Sequence, residues 1–377
     1  MNLNLNDDNK HLIFAPLTFT RPVGLLRMGI LTNEERWKLL FPEAKIGFET
    51  EDYLADKFAA MPTAVSVNAA LIPNAEVVEA VKLLKGNEQL VAEGFWIARS
   101  GTGEILIEFK GKTPVRLEQR WHLYQRNAEV LHADFELLTE GRVSQVISKS
   151  NTIIGNPAQI FLEAGARVEA SVLNTLSGPI YIGKNAEVME GCLLRGSIGL
   201  CEDSTLKMGA KVYGATTVGP HCKVGGEVNN VLFQAYSNKG HDGFLGNSVI
   251  GEWCNIGADT NTSNLKNNYS NVKCYSYVQE KFVQTDIQFM GLMMGDHSKC
   301  GINTMFNTAT VVGVMANIFG AGFPEKHIAS FSWGSDQRFD FDKAIEGAMN
   351  MMMRRNEQLS SADLAILRYI ADKNRTK

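Results

Sequence analysis

The clearest pattern in the chain is an aliphatic residue at every sixth position. An amphipathic helix repeats its apolar positions every three to four residues, and a half-buried strand repeats them every two. A period of six is typical of a parallel β-helix, in which each hexapeptide forms one side of a coil and stacked coils bury a continuous core. We therefore predict a left-handed parallel β-helix over residues 149–335. The unbroken series is Ile182, Val188, Leu194, Leu200, Leu206, Val212, Val218 and Val224.

The repeat then changes phase. A second frame keeps the six-residue spacing through Leu232, Phe244, Ile250 and Ile256, and the pattern returns at Val312 and Ile318. We interpret these slips as inserted loops, around residues 237–243 and residues 264–288. Insertions in a repeat scaffold leave its core intact and gather on one surface, which is often the binding surface. We therefore expect the chemistry near these two segments.

The regions on either side of the repeat show other patterns. Residues 1–148 read as a separate α/β domain, in which Thr32 and Glu35 have the spacing of a helix capping box. Residues 90–98 and 104–109 are predicted to pair as a hairpin across a glycine-containing turn. After the repeat, residues 336–377 are predicted to form C-terminal helices.

Composition narrows the class of protein. The 377 residues are 45% hydrophobic and 21% charged, with a net charge of -4, as in ordinary soluble globular proteins. This balance gives little long-range attraction to nucleic acid or to an anionic membrane, and no apolar run is long enough to span a bilayer. The first ten residues lack the features of a signal peptide, and the six cysteines contain no CxxC pair. We expect a cytoplasmic protein without a nucleic-acid or membrane partner.

A histidine between two glycines lies at the first change of phase. Residues 239–246 read Lys-Gly-His-Asp-Gly-Phe-Leu-Gly, and residues 250–258 read Ile-Gly-Glu-Trp-Cys-Asn-Ile-Gly-Ala. This stretch resembles the acetyltransferase domain of the bifunctional N-acetylglucosamine-1-phosphate uridylyltransferase/glucosamine-1-phosphate acetyltransferase family. That family carries a Gly-His-x-x-Tyr-Leu-Gly run, then Ile-Gly-x-x-x-Asn-Ile-Gly-Ala-Gly-Thr and a further Asn. The resemblance implies an acetyl-CoA-dependent acetyltransferase that acts on an amino-sugar phosphate.

The resemblance also implies roles for individual residues. His241 falls on the general base that takes a proton from the sugar amine, a task suited to histidine. Asn255 and Asn264 fall on side chains that hold the amino sugar, since amides give directional hydrogen bonds to hydroxyls without adding charge. The residues implied for acetyl-CoA are Gly257, Ala258, Gly301 and Ile302.

The chain departs from the family pattern at several substrate-binding positions. Phe244 replaces the tyrosine, so one hydroxyl contact to the substrate is absent, and Asn229 stands at the place of the phosphate-binding lysine. Lys207 and Lys239 are the candidates to supply that phosphate contact. Glu227 is the candidate to orient the histidine.

The N-terminal region resembles a second signature. Residues 16–22 read Pro-Leu-Thr-Phe-Thr-Arg-Pro, which is similar to the second half of the sugar nucleotidyltransferase motif and to the Bacteroides-type variant of the bifunctional family. The resemblance makes Arg21 and Arg27 the candidates for nucleotide or phosphate contacts, with salt-bridged arginines in a degenerate domain as the alternative. No Gly-x-Gly loop precedes the motif to cradle a triphosphate. Asn68 is the candidate for the metal position, and Mg²⁺ and UTP are expected only if this domain is active.

Three readings compete with an amino-sugar-phosphate acetyltransferase that works as a homotrimer. One keeps only sugar-1-phosphate nucleotidyl transfer and makes the β-helix a trimerisation device. Another is a β-helical carbonic anhydrase with zinc on His221, His241 and His297, although the close His-x4-His pair of that family is absent. The last is a non-catalytic trimeric scaffold, which predicts that side chains fill the pocket around His241.

Overall fold

The N-terminal domain is built on a six-stranded sheet. The computed structural model describes residues 1–373. Three neighbouring strands run parallel, and the central one carries the fully buried Leu3 and Leu5. In spatial order, the strands are Lys45–Glu49, Asn2–Asn6, Val65–Asn68, Phe95–Arg99, Glu88–Ala92 and Ile105–Glu108. Two further pairs lie outside this sheet: Arg27–Met28 with Leu31–Thr32, and Leu71–Ile72 with Val115–Arg116.

Five helices belong to this domain. They are α1 (His11–Phe14), α2 (Asn33–Leu40), α3 (Ala75–Leu83), α4 (His122–Gln125) and α5 (Asn127–Thr139). The predicted capping box is confirmed at the start of α2, because the Glu35 N–H donates to Thr32 Oγ1 (3.1 Å) and the Thr32 N–H donates to Glu35 Oε2 (2.6 Å). Such a cap satisfies two backbone donors that the first helical turn leaves without partners. Short 3-10 turns cover Val23–Leu25, Asp52–Leu54 and Pro157–Gln159.

The predicted hairpin has a different pairing. Glu88–Ala92 pairs antiparallel with Phe95–Arg99, and the turn between them places Glu93 and Gly94 at φ values of 48° and 81°. Two positive φ values in a two-residue turn match the twist of a tight hairpin. The strand Ile105–Glu108 then lies parallel to Glu88–Ala92 on its other side. The prediction was wrong because the turn at Glu93 and Gly94, and not the predicted turn at residues 100–103, closes the hairpin.

The repeat forms a β-solenoid with three faces. Face A contains the strands Ile160–Leu162, Ile180–Ile182, Ile198–Leu200, Thr216–Val218, Leu292–Met294, Thr310–Val312 and His327–Ile328. Face B contains Arg167–Val168, Glu187–Val188, Thr205–Leu206, Lys223–Val224, Asn238–Lys239, Asn255–Ile256, Lys299–Cys300, Asn317–Ile318, Ser332–Trp333 and Gln337–Arg338. Face C contains Thr152–Ile154, Val172–Asn174, Leu193–Arg195 and Lys211–Tyr213, and Asn261–Thr262 and Met305–Phe306 pair as a separate two-stranded sheet.

The six-residue series forms the interior of the solenoid. All eight aliphatic residues from Ile182 to Val224 have exposed fractions between 0% and 2%, and they belong to one continuous buried cluster. Full burial of one such side chain contributes about 1.5–3 kcal/mol. The stacked coils that the period predicted are therefore confirmed.

The prediction that residues of the second frame form the solenoid interior was partly wrong. Two long strands, Glu227–Phe233 and Phe244–Ile250, run from face C around a corner onto face A. Leu232 points outward and is buried in the core of the N-terminal domain, whereas Phe244 is only partly buried and Leu245 points into the solenoid. Face A carries apolar residues on its outer side as well as its inner side, because the N-terminal domain covers the outer side.

The two predicted insertions differ in kind. Val224 pairs with Lys239 fifteen residues later, whereas Leu206 pairs with Val224 eighteen residues later. The first slip is therefore a shortened coil and not an inserted loop. The second is a true insertion, with an antiparallel hairpin of Lys273–Ser276 and Lys281–Gln284.

Two helices follow the solenoid. They are α6 (Phe341–Met353), capped by the Asp340 side chain, and α7 (Ser361–Lys373). Their buried residues pack with Phe331 of the solenoid and Leu54 of the N-terminal domain. The C-terminal helices thus hold the other two parts together. No helix within residues 1–373 has the length and apolarity needed to cross a bilayer.

Candidate active site

An open cleft of about 660 Å³ lies on face B beneath the C-terminal end of α6. Because residues at equivalent positions of successive coils stack above one another, the cleft collects side chains from several coils. Six residues that the sequence nominated line it together: Lys207, His241, Asn255, Gly257, Ala258 and Ile302. Gly301 lies between Cys300 of face B and Ile302, beside the same corner.

His241 occupies an exposed corner that a buried lysine holds in place. Lys239 is 1% exposed, and its ammonium donates to the carbonyl oxygens of Gly225 (3.0 Å) and His241 (2.8 Å). Burial lowers the pKa of Lys239 to about 8. The expected contact between Lys239 and substrate was therefore wrong, because this side chain lies inside the solenoid and fixes the backbone of the histidine corner.

One wall of the cleft requires a glycine at position 257. A Cβ on Gly257 would lie 2.5 Å from the backbone carbon and oxygen of Gly301 and 2.6 Å from the nitrogen of Ile302. Because backbone atoms of the next coil cannot yield as a flexible side chain can, a side chain at this position would force the coils apart. Ala258 and the 70% exposed Ile302 then give this wall an apolar surface.

Three further predicted residues of the β-helix, besides Lys239 and Gly301, lie outside the cleft. Phe244 and Asn264 sit together near Gly246, where a Cβ would lie 2.6 Å from each of their side chains. Glu227 accepts a hydrogen bond from the Tyr213 hydroxyl (2.7 Å). Within residues 1–373 Glu227 makes no hydrogen bond to His241. The structure therefore shows no contact through which Glu227 would orient the histidine.

Four cationic side chains line the cleft: Lys207, Lys223, Arg354 and Arg355. Partial burial and the charges of Arg355, Lys207 and Arg354 lower the pKa of Lys223. Among the described residues none of the four forms an ion pair with a carboxylate. Of these four residues only Lys207 was predicted; the pair Arg354-Arg355 at the end of a predicted helix was the signal for the two arginines, and Lys223 had none.

A stack of rings lies behind the cleft, at the corner between faces A and B. The ring centroids of His221 and Tyr236 are 4.6 Å apart, and those of Tyr236 and Trp253 are 4.1 Å apart, with nearly parallel planes. His297 continues the stack at 6.4 Å from Trp253. All four residues have φ between 54° and 60°, which is rare for bulky residues. The stack separates the histidines proposed for zinc, because Tyr236 and Trp253 lie between His221 and His297.

The two N-terminal arginines contact protein carboxylates. Arg21 forms ion pairs with Glu252 and Asp296 of the solenoid. Arg27 donates to both carboxylate oxygens of Glu35 at 3.0 Å. Both guanidinium groups are largely buried. The structure thus favours the alternative of salt-bridged arginines over the expected nucleotide contacts.

Asn68 also serves the protein interior. Its side chain donates to Asp8 Oδ2 (3.1 Å) and to the Trp96 carbonyl (3.2 Å), and accepts from the Ala70 N–H (3.0 Å). The described part of the chain contains no group of three or more His, Cys, Asp or Glu side chains arranged to hold a metal ion. The hydrogen bonds of the Asn68 side chain therefore do not support the predicted metal contact.

Comparison with known proteins identifies the relatives of the chain. Residues 3–143 match the family model described as sugar nucleotidyl transferase. The bifunctional protein GlmU of Geotalea uraniireducens is 24% identical over 179 residues, which cover 41% of this chain and 38% of the relative. GlmU of Xylella fastidiosa is 26% identical over 252 residues, covering 65% and 49%. GlmU of Methanocaldococcus jannaschii is 37% identical over 73 residues, covering 19% and 17%.

These matches reach both major parts of the chain. A match over 65% of the chain cannot fit within the first 148 residues, so it includes part of the solenoid. The chain spans less than half of the length of each of these three relatives. The chain is therefore similar to GlmU proteins over part of their length, with an N-terminal domain that matches the sugar nucleotidyl transferase model followed by a β-solenoid.

Proposed function

We propose that the chain transfers the acetyl group of acetyl-CoA to the amino group of a sugar phosphate such as glucosamine 1-phosphate. The observation that carries the proposal is the single cleft that contains His241, Asn255, Gly257 and Ala258. In this proposal these residues take the roles that the resemblance to the acetyltransferase domain implied. The cleft is open, with a volume of about 660 Å³, whereas a non-catalytic scaffold predicts that side chains fill it.

The reaction needs alignment and one proton acceptor. The amine nitrogen attacks the thioester carbonyl, the new C–N bond forms, and the C–S bond breaks with loss of the CoA thiolate, which becomes the thiol when it takes up the proton that the nitrogen gave up. His241 takes the proton that the nitrogen loses, a contribution of about 10²–10⁴ in rate. Lys239 fixes the backbone at His241, which lines the cleft, and a fixed position of this residue favours the alignment that a direct transfer requires.

The acceptor sugar approaches from the side of face C. Asn264 and Phe244 lie on that side of the His241 corner and outside the cleft. Asn264 Nδ2 donates to Asn247 Oδ1 (2.7 Å), which leaves its own Oδ1 to accept from a sugar hydroxyl. Phe244 offers a ring face without a hydroxyl. The histidine therefore stands between a donor cleft and an acceptor surface.

Uridylyl transfer by the N-terminal domain is the second candidate function. It is favoured by the family match over residues 3–143 and by the bifunctional name of the relatives. It would require UTP and Mg²⁺, together with a sugar 1-phosphate. The pairing of Arg21 and Arg27 with carboxylates ranks it below acetyl transfer. Both activities together would lead to UDP-N-acetylglucosamine.

We also propose a homotrimer. Flat solenoid faces pack around a three-fold axis through heterologous contacts that close into a ring. Face C carries half-exposed apolar side chains such as Leu193, which is 50% exposed. A sedimentation mass of one or two chains would contradict this assembly.

The first test measures thiol release from acetyl-CoA in the presence of glucosamine 1-phosphate. His241→Ala should lower kcat/KM by about a hundredfold or more. His132→Ala is the matched control, because this exposed histidine lies on α5 and outside the cleft. If no amino-sugar phosphate produces thiol with the native chain, acetyl transfer is refuted. Pyrophosphate release from UTP with a sugar 1-phosphate then tests the second candidate.

A further inference from the structure

A second cavity, of about 360 Å³, lies where four parts of the molecule meet. The N-terminal domain contributes His11, Phe19 and Tyr53, and α7 contributes Tyr369. The hairpin of the second insertion and the last coils of face A supply the rest of the lining. A cavity of this size accommodates a small organic molecule. No described residue lines both this cavity and the face B cleft, so a ligand bound here is separate from the proposed acetyl transfer.

The cavity lies beside the carboxyl ends of two neighbouring parallel strands. Asn2–Asn6 and Lys45–Glu49 pair in parallel, and His11 and Glu51 follow them within a few residues. Both of these residues line the cavity. Ligands of open parallel sheets bind outside the carboxyl ends of the strands. The position therefore suits a binding site, and the chemistry of the lining indicates the kind of ligand.

Five of the described lining residues are tyrosine or phenylalanine. The ring planes of Phe19 and Tyr277 meet at 77° with centroids 5.0 Å apart, and those of Tyr275 and Tyr277 meet at 83° with centroids 5.2 Å apart. Rings packed edge to face turn their faces in different directions, and each face carries partial negative charge. Such faces attract cations. Lys373 lies over the Tyr369 ring, 5.7 Å from its centroid, so a cation already lies at this edge of the cavity.

The charged side chains of the lining favour a cation as well. Glu51 and Glu280 are carboxylates, and Lys373 is the single lysine or arginine among the described lining residues. Burial first, and then the charge of Glu51, raises the pKa of Tyr53 above its usual value, so this negative charge acts on the rings. Burial first, and then the charge of Lys373, lowers the pKa of His11 to about 4. The imidazole therefore adds no positive charge at neutral pH.

Packing between the parts of the molecule does not account for this lining. The Tyr53 and Tyr369 rings stack with centroids 4.1 Å apart and join the N-terminal domain to α7. Tyr275 and His327 stack at 3.5 Å and join the second insertion to the solenoid. A joint built only for stability would close the space between these stacks, because interiors are close-packed. Carboxylates around the remaining space would then have no use.

A nucleotide fits the lining less well than a cation does. Phosphate groups are bound by arginine and lysine side chains, which supply charge and N–H donors. Here one lysine stands against two carboxylates, and the carboxylates would repel a phosphate. The cavity is therefore not expected to serve nucleotide transfer, although residues 3–143 match the sugar nucleotidyl transferase model.

We infer that this cavity binds a small organic ammonium ion. The hydrocarbon part of the ligand packs against the rings, and its charge is attracted by the ring faces and by Glu51 and Glu280. A ligand in this position contacts the N-terminal domain, the second insertion, the solenoid and α7 together. Binding therefore stabilises the folded chain by mass action. This site is independent of the proposed function, since it shares no lining residue with the face B cleft.

The test is a calorimetric titration of the full chain at neutral pH with three probes of the same shape. Benzylamine is a cation at this pH, benzyl alcohol is uncharged and benzoate is an anion. Benzylamine should bind about tenfold more tightly than benzyl alcohol, benzoate should bind more weakly than either, and benzylamine should raise the Tm as its concentration rises. Absence of benzylamine binding, or equal affinity for benzylamine and benzyl alcohol, would overturn the assignment. Binding of UMP in place of benzylamine would also overturn it and indicate a nucleotide site.

Two variants separate the contribution of charge from that of the rings. Glu51→Gln combined with Glu280→Gln should reduce the preference for benzylamine over benzyl alcohol to about twofold, because the rings stay in place. Tyr369→Leu should weaken the binding of both compounds several-fold, because a ring face is lost. All three residues are exposed, and thermal melts without ligand show whether each variant is folded.

Glu104→Gln and Tyr269→Leu are the matched controls. Both residues are exposed and lie outside the cavity, so the affinity for benzylamine should stay within about twofold of the native value. If the cavity variants bind benzylamine as tightly as these controls do, the ammonium ion binds elsewhere and the assignment is wrong. Thiol release from acetyl-CoA should be unchanged in the cavity variants, so the two proposals succeed or fail separately.

Discussion

The pairing of Arg21 with the solenoid gives a direct test of how the two domains are joined. The Arg21 side chain is 9% exposed, and its partners Asp296 and Glu252 are 5% and 29% exposed. Asp296 also accepts from the Thr20 hydroxyl (2.6 Å) and from the Glu252 N–H (2.8 Å). Arg21→Gln removes the positive charge and leaves these two carboxylates beside each other in a largely buried position.

The expected loss follows from what remains after the change. Breaking a buried ion pair by removing one partner costs about 3–5 kcal/mol, because the remaining charge is uncompensated. Asp296 keeps two hydrogen bonds and Glu252 is partly solvated, so the lower end of this range applies. A loss of about 3 kcal/mol lowers the Tm of a unit of 150–250 residues by roughly 6–12 °C.

Thermal melts followed by circular dichroism compare Arg21→Gln with a matched control. Arg116→Gln removes an arginine of the same domain whose pair with Glu118 is 39% and 49% exposed, so its cost should be about 0–1 kcal/mol. In the double variant Arg21→Gln/Asp296→Asn, part of the loss should be recovered, because the uncompensated carboxylate is removed. We call the ion pairs of Arg21 with Glu252 and Asp296 the clamp. If the Arg21→Gln variant melts at the same temperature as Arg116→Gln, the clamp does not stabilise the contact between the domains.

Three further predictions concern single buried groups. Lys239→Met should lower kcat for acetyl transfer about tenfold to a hundredfold, because the histidine corner loses its anchor; an unchanged kcat would contradict this role. Burial first, and then the charge of Lys299, lowers the pKa of His297 to about 3, so the unfolded chain binds more protons below pH 6.5. The native chain should therefore lose about 2 kcal/mol more than His297→Asn between pH 7 and pH 5 in urea unfolding. Leu232→Ala should cost about 2–5 kcal/mol, and a cost below 1 kcal/mol would exclude tight packing against the N-terminal domain.

The sequence predicted the solenoid where only its interior is apolar. From Ile182 to Val224 the outward residues are short, polar or charged often enough for the six-residue period to stand out. The period failed at Leu232, because face A is apolar outside as well as inside once the N-terminal domain covers it. A pattern within one chain segment does not distinguish these two kinds of burial.

The candidate site was predictable to the extent that it is local. His241, Asn255 and Gly257 follow one another within two coils, so stacking brings them together without help from distant segments. Arg354 reaches the same cleft from almost a hundred residues beyond Gly257, and only the docking of α6 shows this. Conversely, Arg21 belongs to a recognisable motif, but its carboxylate partners lie more than 230 residues later in the chain.

The clamp and the cleft share the same corners of the solenoid. Glu252, which pairs with Arg21, immediately precedes Trp253, whose ring lines the cleft. Loss of the clamp should therefore shift the cleft wall as well as weaken the domain contact. We expect Arg21→Gln to raise the KM for acetyl-CoA a few-fold below its Tm, with kcat nearly unchanged, and Arg116→Gln to leave both unchanged. A lower Tm with an unaltered KM would show that the clamp stabilises the domains without positioning the wall.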